Sequence, residues 1–218
     1  LGAFEETDAD GCIVILKNLH RIPADGKTWM DKAVSAIRGK EHNMKSNIVL
    51  IGMPGVGKST IGVVLAKNLG YHFMDSDIVI QQQTGKLLHE IITEKGLDGF
   101  LQTEDEVNAG IDAEKTVIAT GGSVVYGKEA MEHLGEIGTV IYLQVPYPAL
   151  EKRLADIKGR GVVLKKDQTL HDLYEERTPL YEKYADICIC ETGLGVEQTV
   201  DQVVEKLNLM NNKQKSNE

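Results

Sequence analysis

The sequence predicts an α/β fold, a parallel sheet covered by helices on both faces, and three observations carry that expectation. From residue 47 onward, short apolar runs rich in β-branched residues alternate with longer helical stretches. A glycine-rich turn, Gly52-Met53-Pro54-Gly55-Val56-Gly57-Lys58-Ser59, joins the first run to the first helical stretch. Two later runs end in polar residues, Asp75-Ser76-Asp77 and Thr120-Gly121-Gly122, where open parallel sheets place their ligands.

Taken in order, Asn47–Ile51 reads as a buried strand and the stretch through Lys67 as a helix. Tyr71–Met74 is a second strand, followed by helical segments to about Ala113. Thr116–Ala119, Thr139–Leu143 and Ile187–Cys190 are the third, fourth and fifth strands, and Val196–Leu207 is a closing helix. Residues 211–218 are polar and are expected to be a disordered tail. Residues 1–43 read differently. Cys12–Leu16 reads as a short strand, and Met30, Ala33, Val34 and Ile37 fall at helical spacing. This N-terminal extension receives no function, and residues 44–210 are expected to form the main domain.

Bulk properties narrow the function. The 218 residues are 42% hydrophobic, enough for a buried core, with a formal charge of −9. An acidic surface argues against nucleic acid and anionic membranes as partners. No apolar run reaches the length of a membrane span, and no signal pattern opens the chain, so a cytoplasmic protein is expected. Cys188 and Cys190 lie on one face of a strand and are expected to be a reduced pair in the core. A monomer or weak dimer is expected.

The spacing Gly-x-x-x-x-Gly-Lys-Ser between a strand and a helix carries a phosphate-binding mechanism, that of a P-loop. Its glycines let successive backbone N–H groups turn inward around a phosphate, and the helix N-terminus adds partial positive charge. Gly55, Val56, Gly57, Lys58, Ser59 and Thr60 are therefore the expected ATP-binding residues. Lys58 can reach the β- and γ-phosphates, and the Ser59 hydroxyl can ligate Mg²⁺. Of the two carboxylates Asp75 and Asp77, one can sit beside that Mg²⁺ and the other can accept a hydroxyl proton or hydrogen-bond a polyol. Asp75 and Ser76 also suit a helix N-cap. The basic, glycine-containing stretch 156–168 suits a loop that closes over a triphosphate and excludes water.

Together these motifs resemble the shikimate kinase family over nearly all of residues 46–207. The phosphate loop, the Asp-x-Asp, the Ala-Thr-Gly-Gly turn, Arg153, Arg160 and Glu176-Arg177-Thr178-Pro179-Leu180-Tyr181 fall in family order. The resemblance implies a three-layer sandwich of the P-loop nucleoside-monophosphate-kinase type, with a five-stranded parallel sheet and a mobile lid. It implies ATP-dependent phosphorylation of a small hydroxy acid, shikimate first, in aromatic amino-acid biosynthesis. By the same match, Lys58, Asp77 and the lid residue Arg160 are catalytic, and Arg153 stacks on adenine. Asp77, Gly122 and Arg177 bind the acceptor, Arg177 gripping its carboxylate.

The departures fall on the acceptor side. Gly99-Phe100-Leu101-Gln102-Thr103-Glu104 places Leu101 where the family has a carboxylate-pairing arginine. Such a contact is worth roughly 1.5–3 kcal/mol. Ser123 replaces a glycine, and Arg160-Gly161-Val162-Val163 replaces Arg-Pro-Leu-Leu. A different hydroxy acid or hydroxy amino acid as acceptor, or a nucleotide-binding module without transfer activity, are the alternatives. A P-loop ATPase or GTPase switch lacks its motifs, and a nucleoside-monophosphate kinase would need more arginines.

Overall fold

The computed structural model describes residues 45–155 and 168–215. The extension 1–43, with its expected strand and helix, lies outside the described residues, as does Arg160 with the lid stretch from 156 to 167.

Five strands form one sheet: β1 (Asn47–Ile51), β2 (His72–Asp75), β3 (Thr116–Ala119), β4 (Gly138–Gln144) and β5 (Ile187–Cys190). Their order is β2-β3-β1-β4-β5, and every pairing is parallel. A parallel pair needs a crossover, and the helices supply it: α1 (Lys58–Leu69), α2 (Ser76–Thr84), α3 (Leu88–Ala109), α4 (Lys128–Ile137), α5 (Tyr147–Ala155), α6 (Leu170–Tyr184) and α7 (Val196–Lys215). The expected α/β architecture with five parallel strands is the one observed.

β1 is central and buried throughout, which its unbroken apolar run Ile48-Val49-Leu50-Ile51 predicts for a strand covered on both faces. The order steps outward from β1 in both directions, through β3 on one side and β4 on the other. The carboxyl ends of β1 and β3 thus open side by side, and that crevice is where an open parallel sheet binds ligands. It brings the glycine-rich turn, Asp75 and Thr120-Gly121-Gly122 to one edge.

The structure differs from the sequence reading at several element ends and on one strand face. β2 runs His72–Asp75, so Asp75 pairs with Ala119 and belongs to the strand. α3 stops at Ala109, short of Ala113, and is broken internally at Gly96, whose φ of 73° no helix interior adopts. α7 continues past Leu207 to Lys215, into the segment expected to be a disordered tail. Leu207 and Met210, three residues apart, both pack on the main core and extend its helical face. Cys188 and Cys190 do share a face of β5, but it is the exposed one, while Ile187 and Ile189 are buried. Period-two spacing identifies residues on a common face, and only packing decides which face turns inward.

Candidate functional site

The glycine-rich turn leaves β1 at Gly52, whose φ of 146° is open to glycine alone. A side chain there would also meet the Leu143 carbonyl at 2.7 Å, so the turn is pressed against the end of β4. Gly55 and Gly57 also have positive φ, at 82° and 103°, and the α1 ladder begins with Ile61 N–H donating to the Gly57 carbonyl. Lys58, the first residue of α1, folds back into the turn. Its Nζ donates to the Gly52 and Met53 carbonyls at 2.7 and 3.0 Å. Burial lowers its pKa from 10.5 to about 8, against the opposing pull of Asp77.

The next residue carries the link to β2. Ser59 Oγ donates to Asp75 Oδ2 at 2.8 Å, while the other oxygen of Asp75 accepts the Asp77 N–H at 3.1 Å and caps α2. Asp75 therefore serves as the N-cap of α2 and is hydrogen-bonded to Ser59 at the same time. Among the described residues no cluster of three or more His, Cys, Asp or Glu side chains forms a protein-only metal cage. Ser59 and Asp75 instead offer two hard oxygens beside a phosphate-binding turn, the donor set expected for Mg²⁺ completed by phosphate and water.

Ser76 is fully buried and accepts the Gly121 N–H at 3.2 Å, which joins the ends of β2 and β3. Asp77, one residue on, is pushed above the usual carboxylate range by burial and by Asp75, with Lys58 opposing. Thr120 and the following glycines are anchored by Thr120 Oγ1, which donates to the Leu50 carbonyl at 2.9 Å. The Gly122 carbonyl accepts the Tyr181 hydroxyl, and Tyr181 stacks on Tyr142 with ring centroids 5.0 Å apart.

Arg177 reaches the same place from α6. It is 5% exposed, and a Gly122 side chain would lie 3.2 Å from its Nη1. Its Nε donates to the Tyr126 hydroxyl at 3.2 Å, and Tyr126 in turn donates to Glu176 Oε1 at 2.8 Å. Gly122 and Arg177 line a cleft of about 730 Å³ that they share with Gly55, Lys58, Ser59 and Thr60. Arg153 meets the phosphate turn from α5. Its Nη1 donates to the Val56 carbonyl at 3.1 Å and to Glu191 Oε2 at 2.9 Å.

The structure gives a place to a residue of the acceptor-side segment to which the sequence reading assigned no role. Glu104, on α3, is 1% exposed and lines the cleft. Burial raises its pKa to about 7, with Ser123 hydrogen bonding, Arg177 and Lys58 pulling the other way and Asp77 pushing it up. Ser123 is thus tied to Glu104. Leu101 turns to a separate apolar cluster around Ile80, Ile91, Phe100 and Val107. The available signal for Glu104 was its place three residues after Leu101 in the segment matched to the family's acceptor side.

Comparison with known proteins gives a consistent result. The family described as shikimate kinase matches residues 54–208. A shikimate kinase of Nostoc sp. is 42% identical over 164 residues, covering 74% of this chain and 88% of the relative. One from Thermodesulfovibrio yellowstonii is 36% identical over 169 residues, covering 76% and 97%. Among solved structures, the shikimate kinase of Acinetobacter baumannii in complex with shikimate superposes with a TM-score of 0.67 and 33% identity. That match covers 79% of this chain and 97% of the other. The shikimate kinase of Aquifex aeolicus gives 0.64 and 31%, covering 74% and 96%.

Proposed function

Because the chain belongs to the shikimate kinase family, and so is an ATP-dependent small-molecule kinase, we propose that it phosphorylates a hydroxyl of a small hydroxylated carboxylic acid. Shikimate, giving shikimate 3-phosphate, is the first acceptor, and its use would place the enzyme in aromatic amino-acid biosynthesis. The observation that carries the reading is one cleft lined by Lys58, Ser59, Asp77, Gly122 and Arg177. A phosphate donor and an acid bearing a hydroxyl thus have their binding groups side by side.

Residues 55–60 would hold the ATP phosphates on inward N–H groups, with Lys58 on the transferring phosphate. Arg177 would hold the acceptor carboxylate, and the Gly122 N–H would help fix its orientation. Asp77 would accept the proton of the reacting hydroxyl; burial and the Asp75 charge give its carboxylate more affinity for that proton. Mg²⁺, when bound, would neutralise charge on the phosphates, and Ser59 and Asp75 would be its protein-side oxygens. Arg160, outside the described residues, would contribute positive charge from the lid, and Arg153 would pack against adenine. Bringing donor and acceptor together in a fixed orientation is the main source of rate in such a transfer.

No helix among the described residues is long and apolar enough to cross a membrane, and a cytoplasmic site of action is part of the proposal. The test is ADP release with ATP-Mg²⁺ across shikimate, gluconate and homoserine. Shikimate should raise release far above the rate with water alone, and Lys58→Ala should abolish it. Release that no acceptor raises would leave a nucleotide-binding module, the reading that Leu101 favours.

A further inference from the structure

Arg177 is buried, yet among the described residues it forms no ion pair. A buried guanidinium is costly until an anion completes it, so something else must hold it in place beforehand. That partner is a tyrosine. The Arg177 Nε donates to the Tyr126 hydroxyl at 3.2 Å, and its Cζ lies 5.1 Å from the centre of the Tyr126 ring. Tyr126 thus bears on the guanidinium both through its hydroxyl and through its ring.

Tyr126 is itself fixed. It ends the short 3₁₀ turn Val124–Tyr126 that follows the glycine turn, and its N–H donates to the Ser123 carbonyl at 2.9 Å. Its hydroxyl donates to Glu176 Oε1 at 2.8 Å, and Glu176 Oε2 accepts from Gln168 Nε2 at 2.7 Å, so that carboxylate is pinned through both oxygens. Glu176 and Arg177 are consecutive on α6, and consecutive helix residues do not face each other. The hydroxyl bridges them: its one proton goes to Glu176, and a lone pair takes the Arg177 N–H. Burial raises the Tyr126 pKa above its ordinary 10.0, against the pull of Arg177. The hydroxyl therefore stays neutral, and the guanidinium keeps its charge for a ligand.

A guanidinium is a rigid plane that can grip a carboxylate in two ways, through Nε with one Nη or through both Nη groups. Tyr126 takes the Nε. Nη1 lies 3.2 Å from the point where a Gly122 side chain would begin, and Gly122 and Arg177 both line the cleft. We propose that Tyr126, backed by Glu176, is a positioning residue for the acceptor, fixing the plane of Arg177 so that its two Nη groups meet the acceptor carboxylate together. Leu101 adds weight to this role, because a single guanidinium then sets both the position and the angle of the acid. The inference rests on the kinase reading above and deepens it.

The test is a cycle between protein and acceptor. Steady-state constants are measured for the intact enzyme, Tyr126→Phe and Glu176→Gln, with shikimate and with its methyl ester, the ester read as an inhibitor if it is not turned over. Tyr126→Phe keeps the ring beside Arg177 and removes only the hydroxyl. It should raise the KM for shikimate about tenfold and leave the KM for ATP within about twofold. Glu176→Gln still accepts the tyrosine proton, without the charge, and should raise the KM for shikimate by about threefold. The ester has no carboxylate for Arg177 to grip, so its constant should move by less than about twofold in either variant. An unchanged KM for shikimate in Tyr126→Phe, or an equal rise for the ester, would overturn the assignment while leaving the kinase reading intact. A rise of the same size in the KM for ATP would overturn it too, because it marks a general loosening of the cleft. If Tyr126→Phe does not fold, Glu176→Gln decides by the same criteria. Failure of the intact enzyme to phosphorylate any hydroxy acid would remove the kinase reading and this inference together.

Discussion

Ser59 and Asp75 are joined by a hydrogen bond of 2.8 Å that ties the first turn of α1 to the end of β2. Asp75 spends its other oxygen on the N-terminus of α2, so one carboxylate caps a helix and holds the serine proposed as a Mg²⁺ ligand. Substitutions can separate the two. Asp75→Asn retains a good N-cap and should melt close to the parent, while its Mg²⁺ requirement rises and kcat falls. Asp75→Ala also loses the cap, at about 1 kcal/mol, and should melt roughly 2–4 °C lower. Mg²⁺ titrations of activity beside thermal melts distinguish the two.

Lys58 and Glu104 give opposite signatures in the pH dependence of stability. Glu104 has a folded pKa raised from 4.5 to about 7, so its contribution is full below 4.5 and is lost as pH rises through about 7. Lys58 has a folded pKa lowered from 10.5 to about 8, so its contribution is full above 10.5 and is lost as pH falls through about 8. Glu104→Gln should therefore be more stable than the parent at pH 8, by on the order of 3 kcal/mol at most. The gain should disappear as pH falls toward 4.5. Denaturant melts across that range measure it.

Gly122→Ala should disable the acceptor half of the cleft. The added methyl would lie 2.7 Å from Pro54 Cδ and 3.2 Å from Arg177 Nη1, so the proline ring or the guanidinium must give way. The expected result is a KM for the acceptor raised tenfold or more, with the KM for ATP moving less. Equal rises in both constants would point to collapse of the phosphate turn through Pro54.

Leu101→Arg supplies the missing cation. An arginine one turn before Glu104 on the same helix is within pairing range. It should lower the KM for shikimate, by up to about a hundredfold if it pairs with the acceptor carboxylate. It should also bring the Glu104 pKa down from about 7, narrowing the stability gain of Glu104→Gln at pH 8. The cost is the loss of apolar packing around Phe100.

The phosphate turn, its strand and its helix were legible in the sequence because they are contiguous, and their chemistry depends on local backbone geometry and residue spacing. The strand ends at Asp75 and Thr120 were legible for the same reason: a parallel sheet gathers its carboxyl edges wherever the individual strands begin. Arg177 came from the family resemblance, and the structure sets it beside Gly122 although 55 positions separate them. Glu104 had only a weak signal. Its meaning depends on Ser123, Gly121 and Asp77 arriving from three other segments and on the exclusion of water that raises its pKa. The Arg153–Glu191 pair and the outward face of Cys188 and Cys190 likewise follow from packing. What the sequence determined alone is the fold class and the phosphate-binding half of the cleft, both set by short-range pattern. Tertiary structure decided the acceptor half, because burial and convergence of distant side chains, not spacing, set which charges there are paired.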